Sequence, residues 1–158
     1  MKRIIIGSDK SGFSLKEAIK AHLCEQGYEV VDCGTQSLEN GMTFYEVAPI
    51  AAKRVQDGEF ERGILICGTG MGMSIVANKF KGVYAAACES TYAAEKCRAI
   101  NDANILTMGG WVIGEVLGCA MADTFLNTEF TQNLEEWRQK FLRGARDQVK
   151  NIEEEIYK

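Results

Sequence analysis

Short apolar runs alternate with helix-period stretches along nearly the whole chain, and few architectures accommodate that alternation. The run at 3–6 stops at Gly7, after which Leu15, Ile19 and Leu23 recur at four-residue spacing up to Gly27, predicting a strand and then a glycine-terminated helix. Residues 28–33 are again β-rich, and 44–58 follow a helical pattern in which Pro49 implies a kink or a nearby helix start. Further strands are expected at 62–67, 82–88 and 104–109. Helices are expected over 90–100, with Ser90 or Thr91 as N-cap, and over 111–127. From Leu134 to Ile156 a three-to-four spacing through Trp137, Phe141, Ala145, Val149 and Ile152 predicts an extended C-terminal helix within about 131–158. The pattern specifies an α/β fold: a Rossmann-like three-layer domain with a mostly parallel five-stranded sheet. With no repeat, low-complexity tract or linker, residues 1–158 are read as one domain.

Composition narrows the function. A net charge of −4 leaves no cationic excess for nucleic acid, although a local pocket for a small anion remains open. The N-terminal apolar run is too short for a signal-peptide core or a membrane span, so the expectation is a cytoplasmic protein without membrane partners. Six cysteines (24, 33, 67, 88, 97 and 119) follow no small disulfide scaffold and form no C-x-x-C pair, so most are read as packed thiols. The single histidine, His22, reads as a surface or packing residue.

In open parallel sheets, ligands bind beyond the carboxyl ends of strands. Three predicted strand ends lead into GSDKSG (7–12), GTGMGMS (68–74) and CESTY (88–92), which together hold the reactive side chains. Glycines at 68, 70 and 72 either make a tight turn or let backbone N–H groups converge on an anion, helped by the helix that follows. The loop is neither a dinucleotide fingerprint nor a Walker loop. Cys67 stands at its entrance, where convergent N–H groups favour thiolate over thiol. Such a thiolate can attack a carbonyl or remove a proton beside one, and the lack of a companion histidine base tilts the reading toward proton abstraction.

GSDxxG (7–12), EVVDCGT (29–35), RGILICGTGMGMSIVANKFKGV (62–83), NDAN (101–104) and GxxVIGxxL (109–117) together resemble the RpiB/LacAB sugar-phosphate isomerases, the B-type ribose-5-phosphate isomerase family, from residue 1 to about 130. The resemblance implies an aldose–ketose isomerase of a phosphorylated sugar that works through a cis-enediolate, with no metal and no cofactor. Cys67 matches the family's base, moving a proton between C1 and C2, and Thr69 would set its hydroxyl near the exchanging oxygens. The backbone of Gly68, Gly70, Met71, Gly72 and Ser74 would hold the enediolate oxygen. Asp9 and Asn101 match sugar ligands, and Lys10 replaces a phosphate-binding histidine. Arg138 is the late arginine best placed for phosphate. The site would be shared between subunits, with NDAN contributed across the interface, implying a homodimer or a dimer of dimers whose C-terminal helix packs on the partner.

One departure bears on the substrate. Relatives acting on ribose 5-phosphate carry a ring-opening histidine before NDAN, where this chain has Ile100. Isoleucine transfers no proton, which points to a substrate needing no ring opening: a tetrose phosphate has no terminal hydroxyl with which to close a furanose. A pentose phosphate such as ribose 5-phosphate, or a hexose phosphate, opened otherwise is the second option. Two other classes are weighed. A non-catalytic sugar-phosphate-binding or regulatory protein fits the lost histidine but not the intact Cys67, Thr69 and Asp9. A nucleotide-binding Rossmann domain lacks both the glycine fingerprint and an acidic residue for a ribose. Trp111 and Trp137 read as core or interface anchors, and the loop GTQSLENGMTF (34–44) departs from the family pattern.

Overall fold

The computed structural model describes residues 2–158. Its central sheet contains β1 (Arg3–Ser8), β2 (Glu29–Asp32), β3 (Gly63–Cys67), β4 (Ala85–Ala87) and β5 (Ile105–Gly109), and all four strand pairings are parallel. The spatial order is β2-β1-β3-β5-β4, so β3 lies at the centre and β5 is inserted between it and β4. The helices are α1 (Phe13–Glu25), α2 (Phe44–Gln56), α3 (Met71–Ala77), α4 (Thr91–Ala99), α5 (Glu115–Asn127) and α6 (Glu136–Ile156).

Side-chain alternation along the strands builds the three layers. Ile4, Ile6, Ile64, Ile66, Leu106 and Met108 face one way, against Leu15, Ile19 and Leu23 of α1 and Met121 and Phe125 of α5. Ile5, Leu65, Cys67 and Ile105 face the other way, against α2 and α3. Each fully buried isoleucine contributes about 1.5–3 kcal/mol of transfer free energy, which fixes register because a one-residue slip would reverse every side chain.

The helix ends follow local chemistry. Gly27, at φ +84, terminates α1 beyond its Gln26 cap. Thr43 and Glu46 form a capping box that starts α2 five residues before Pro49, which sits inside the helix rather than at its start. Ser90 caps α4 by accepting the Ala93 N–H at 3.1 Å.

The C-terminal helix is shorter than the expected 131–158, because Thr131 and Asn133 take positive φ before it begins. It lies across the amino-terminal edge of the sheet. Arg146 pairs with Asp102 at 3.1 Å, Glu153 accepts the Gly82 N–H and the Tyr84 hydroxyl at 2.7 and 2.9 Å, and the Tyr157 hydroxyl donates to the Lys79 carbonyl at 2.7 Å. Only Leu142 of α6 is buried, so its apolar residues Trp137, Phe141, Val149, Ile152 and Ile156 are left on the surface. Trp137, read as a core or interface anchor, is 66% exposed and belongs to no core of this chain.

Candidate active site

The carboxyl ends of β1, β3 and β5 converge on Cys67. It is the last residue of the central strand, and hydrogen bonds lock the turns around it. The Asp9 N–H donates to the Ile66 carbonyl (3.1 Å), Gly110 N–H to the Cys67 carbonyl (2.8 Å) and Trp111 N–H to the Gly68 carbonyl (3.0 Å). Three glycines are required by close approach: a Cβ on Gly12 would lie 2.6 Å from the Ile66 carbonyl oxygen, one on Gly109 would lie 2.7 Å from Gly68 and Thr69, and one on Gly110 would lie 2.7 Å from the Ser11 carbonyl oxygen. The turn after β5 therefore presses on the glycine loop and on the loop after β1, which in turn presses on the end of β3.

Within that loop Gly70 has φ +79, a left-handed turn that aims its N–H at the Cys67 sulfur, 3.1 Å away. Thr107, on the neighbouring strand, donates its hydroxyl to the Gly70 carbonyl at 2.9 Å and fixes the turn from below. Cys67 as a whole is 5% exposed and packs in the core layer under α2 and α3. The Thr69 hydroxyl accepts the Met71 N–H at 3.3 Å, which leaves its own proton to donate outward. Within the first turn of α3 the Met71 N–H is taken by Thr69 and the Ser74 N–H by the Gly70 carbonyl, which leaves the Gly72 and Met73 N–H groups for an oxyanion.

Asp9 accepts the Gly12 N–H at 3.0 Å. Burial pushes its carboxyl above the usual range, against the Gly12 and Ser11 N–H groups that pull it down. Lys10, beside it, is exposed, and its stem runs along Gly41.

Several sequence-derived site residues lie elsewhere. Ser74 is one turn into α3: its N–H donates to the Gly70 carbonyl, and its hydroxyl donates to the Ala85 carbonyl and accepts from Asn78. Its hydroxyl and N–H are thus engaged within the fold. Asn101 and Arg138 are not brought to Cys67 within one chain. Asn101 follows α4 at the opposite edge of the sheet, where the neighbouring Asn104 carbonyl meets the Gly63 N–H at the start of β3. A five-residue strand puts that edge about 15 Å from Cys67. Arg138 is exposed on the first turn of α6, at the same edge.

Two aromatic residues join the site that sequence reasoning had not placed there. Trp111, read as a core or interface anchor, is 74% exposed, and its indole lies face-on over Gly68, where a Cβ would stand 2.8 Å from three ring atoms. The Phe44 ring covers Gly72 in the same way, at 3.0 Å.

The family model for Ribose/Galactose Isomerase matches residues 4–141. Among curated proteins, the chain is 70% identical over 156 residues to 4-deoxy-4-sulfo-D-erythrose isomerase of Clostridium sp. (strain MSTE9), covering 99% of this chain and 98% of that one. It is 45% identical over 130 residues to ribose-5-phosphate isomerase B of Escherichia coli (82% and 87% covered) and 38% identical over 130 residues to D-erythrulose-4-phosphate isomerase of Pectobacterium atrosepticum (82% and 86% covered). A solved ribose-5-phosphate isomerase B from Clostridium thermocellum superposes with a TM-score of 0.87 at 40% identity, covering 98% of this chain and 99% of that one. With Cys67 and its glycine loop assembled at the carboxyl end of the central strand, the chain is an isomerase of the Ribose/Galactose Isomerase (RpiB/LacAB) family.

Proposed function

We propose that the enzyme interconverts the aldose and ketose forms of a four-carbon sugar bearing a terminal anion, a 4-deoxy-4-sulfotetrose in preference to a tetrose phosphate. The observation that carries this reading is Ile100, a half-buried apolar residue capping α4 where a ring-opening histidine is expected. A tetrose whose C4 carries sulfonate has no C4 hydroxyl, and closure through O3 would make a strained four-membered ring. Its carbonyl stays free, and no acid–base group is needed to open it. The 70% identical relative acts on 4-deoxy-4-sulfo-D-erythrose, which supports sulfonate over the phosphate that the sequence alone suggests.

In the reaction, the Cys67 thiolate takes the proton from the carbon next to the carbonyl, giving a cis-enediolate. The Gly72 and Met73 N–H groups, which the fold leaves without an acceptor, stabilise the oxygen that gains charge. The Thr69 hydroxyl relays the proton of one sugar oxygen to the other as the double bond shifts, accepting from the C2 hydroxyl and donating to the C1 oxygen, and so ends unchanged. Cys67 then returns the proton to the other carbon. Asp9 accepts from a sugar hydroxyl, and Lys10 faces the terminal anion with a permanent positive charge.

We further propose that the site is completed by a second copy of the chain, in a cytoplasmic homodimer or dimer of dimers. Asn101 and Arg138 stand at the edge remote from Cys67, beside the uncovered apolar stripe of α6. Tyr45, Met71, Ile75 and Trp111 form a matching exposed apolar rim around the glycine loop. A two-fold arrangement that covers both surfaces delivers Asn101 and Arg138 to the partner's cleft. All six cysteines are free thiols, as suits a reducing compartment.

Proton exchange in D2O, followed by NMR, tests the chemistry with 4-deoxy-4-sulfoerythrose, erythrose 4-phosphate and ribose 5-phosphate. Deuterium should enter the carbon beside the carbonyl fastest for the sulfotetrose, and Cys67→Ser should bind the sugar yet lose exchange. Rapid exchange of ribose 5-phosphate with none for either tetrose would refute the assignment of substrate. Undiminished exchange in Cys67→Ser would refute the assignment of base.

A further inference from the structure

We propose that Gly41 determines substrate length: lying flat on the aliphatic stem of Lys10, it fixes how far the ammonium stands from Cys67. The inference rests on the reading above, in which Lys10 meets the terminal anion of the substrate.

Four observations carry it. A Cβ on Gly41 would lie 3.0–3.1 Å from Lys10 Cβ, Cγ and Cδ, closer than side chains ordinarily pack, so nothing larger than glycine fits without moving the lysine. Gly41 is not among the glycines with positive φ, so the backbone conformation does not require glycine there, whereas the contact does. Lys20, Lys53, Lys81 and Lys96 each lie against a carboxylate, while Lys10, among the described residues, does not. Its ammonium is thus free for a ligand, while its stem is confined.

The loop that bears Gly41 is anchored at both ends. Thr35 donates its N–H to the Ser8 carbonyl at 2.9 Å, and its hydroxyl accepts the Met42 N–H at 3.0 Å. Lys16, wholly buried, donates to the Thr35 carbonyl and pairs with Asp32 at 2.7 Å, and Asp32 in turn accepts the Gly34 N–H at 3.1 Å. At the far end, the Thr43–Glu46 capping box leads into Phe44, whose ring seats on Gly72. One braced segment therefore touches both the anion-binding lysine and the helix turn that receives the enediolate. It sets the spacing between the two ends of the substrate. A site of fixed span discriminates by chain length, because a charge misplaced by about 1 Å can cost up to about a hundredfold.

A double-mutant cycle with Gly41→Val and Lys10→Ala tests this. The cycle is read as dissociation constants by calorimetry in the Cys67→Ser background, where bound sugar is not turned over, and as KM and kcat in the active enzyme. The sugars are 4-deoxy-4-sulfoerythrose and ribose 5-phosphate. Gly41→Val should weaken the four-carbon sugar about tenfold and the five-carbon sugar less, with a larger change in KM than in kcat, and the effect should vanish when Lys10 is alanine. Gly41→Ala, a smaller intrusion, should fall between wild type and valine and carries the same cycle if valine unfolds the loop. Unchanged affinity, an equal loss for both sugars, or a loss that persists in Lys10→Ala would overturn the proposal. Turnover of ribose 5-phosphate without turnover of the tetrose would overturn the assignment of substrate instead, and the cycle on ribose 5-phosphate would still decide whether Gly41 acts through Lys10.

Discussion

Gly70→Ala separates the conformational from the steric demands of the glycine loop. At φ +79 an alanine costs about 1 kcal/mol from backbone preference alone. Its Cβ would also lie 2.8, 2.9 and 3.0 Å from the backbone C, Cα and N of Met108, on an adjacent buried strand that cannot give way. The loop must retreat by about 0.5 Å, which adds about 1–3 kcal/mol as other forced overpacking does. For 158 residues the unfolding entropy is about 330 cal/mol/K, so the melting temperature should fall by about 6–12 °C. The same retreat draws the Gly70 N–H away from the Cys67 sulfur, now at 3.1 Å, and kcat should drop about a hundredfold with a smaller change in KM. Gly58→Ala is the control: φ is +76 there too, but a Cβ would meet nothing within 4 Å. It should cost only about 3 °C and leave kcat intact. Differential scanning calorimetry and the NMR exchange assay read both quantities. Equal melting shifts in the two variants, or full kcat in Gly70→Ala, would refute the packing argument.

Asp9→Asn should trade activity for stability. Because the folded carboxyl is raised, wild type is penalised as pH rises through the carboxylate range, so the variant should melt higher at neutral pH and the gap should close at acid pH. A constant gap across pH would refute this. Asp32→Asn should act in the opposite sense. Burial pushes Asp32 up, yet the Lys16, Gly34 and Lys20 donors outweigh it and hold the carboxyl low, so its stabilisation is lost as pH falls through the folded value. Breaking its pair with the buried Lys16 should cost about 3 kcal/mol at pH 7 and almost nothing at acid pH, as urea titrations at the two pH values would show. Phe141→Glu places a charge in the apolar stripe of α6. It should yield a monomer in analytical ultracentrifugation, with kcat lowered in proportion. A fully active monomer would refute the shared site.

The local elements were legible because their signals are local. The four-residue spacing of Leu15, Ile19 and Leu23 and the glycine at 27 delimit α1 within two residues, and Ser90 caps α4 as its residue type suggests. The glycine spacing after Cys67 left a tight turn and an anion loop both open, and the structure shows the turn, with Gly70 at φ +79. What escaped depends on chain-distant neighbours. Nothing between residues 82 and 109 says that β5 enters between β3 and β4. Ser74 lies in the motif by sequence, yet helical rotation turns its hydroxyl toward Ala85. Trp111 has an apolar composition that suggests burial, but the tight turn at Gly109 and Gly110 folds its ring onto the surface of Gly68 instead. The role of Gly41 is invisible until Lys10, thirty-one positions away in the chain, is seen beneath it.

The strand order has a consequence for synthesis. Residues emerge from the ribosome in sequence, and β4 finds its only sheet neighbour in β5, which is made after it. Until residues 105–109 are available, the central strand has one bare flank, and three alanines at 85–87 wait without a ladder. Those alanines are small and weakly apolar, and β4 spans only three residues, so the waiting edge offers little to a neighbouring chain. The last strand to arrive joins the sheet and braces the loop at Cys67 in one event: Gly109 packs against Thr69, and the Gly110 N–H donates to the Cys67 carbonyl. The packing around Cys67 is thus complete only once β5 has joined the sheet.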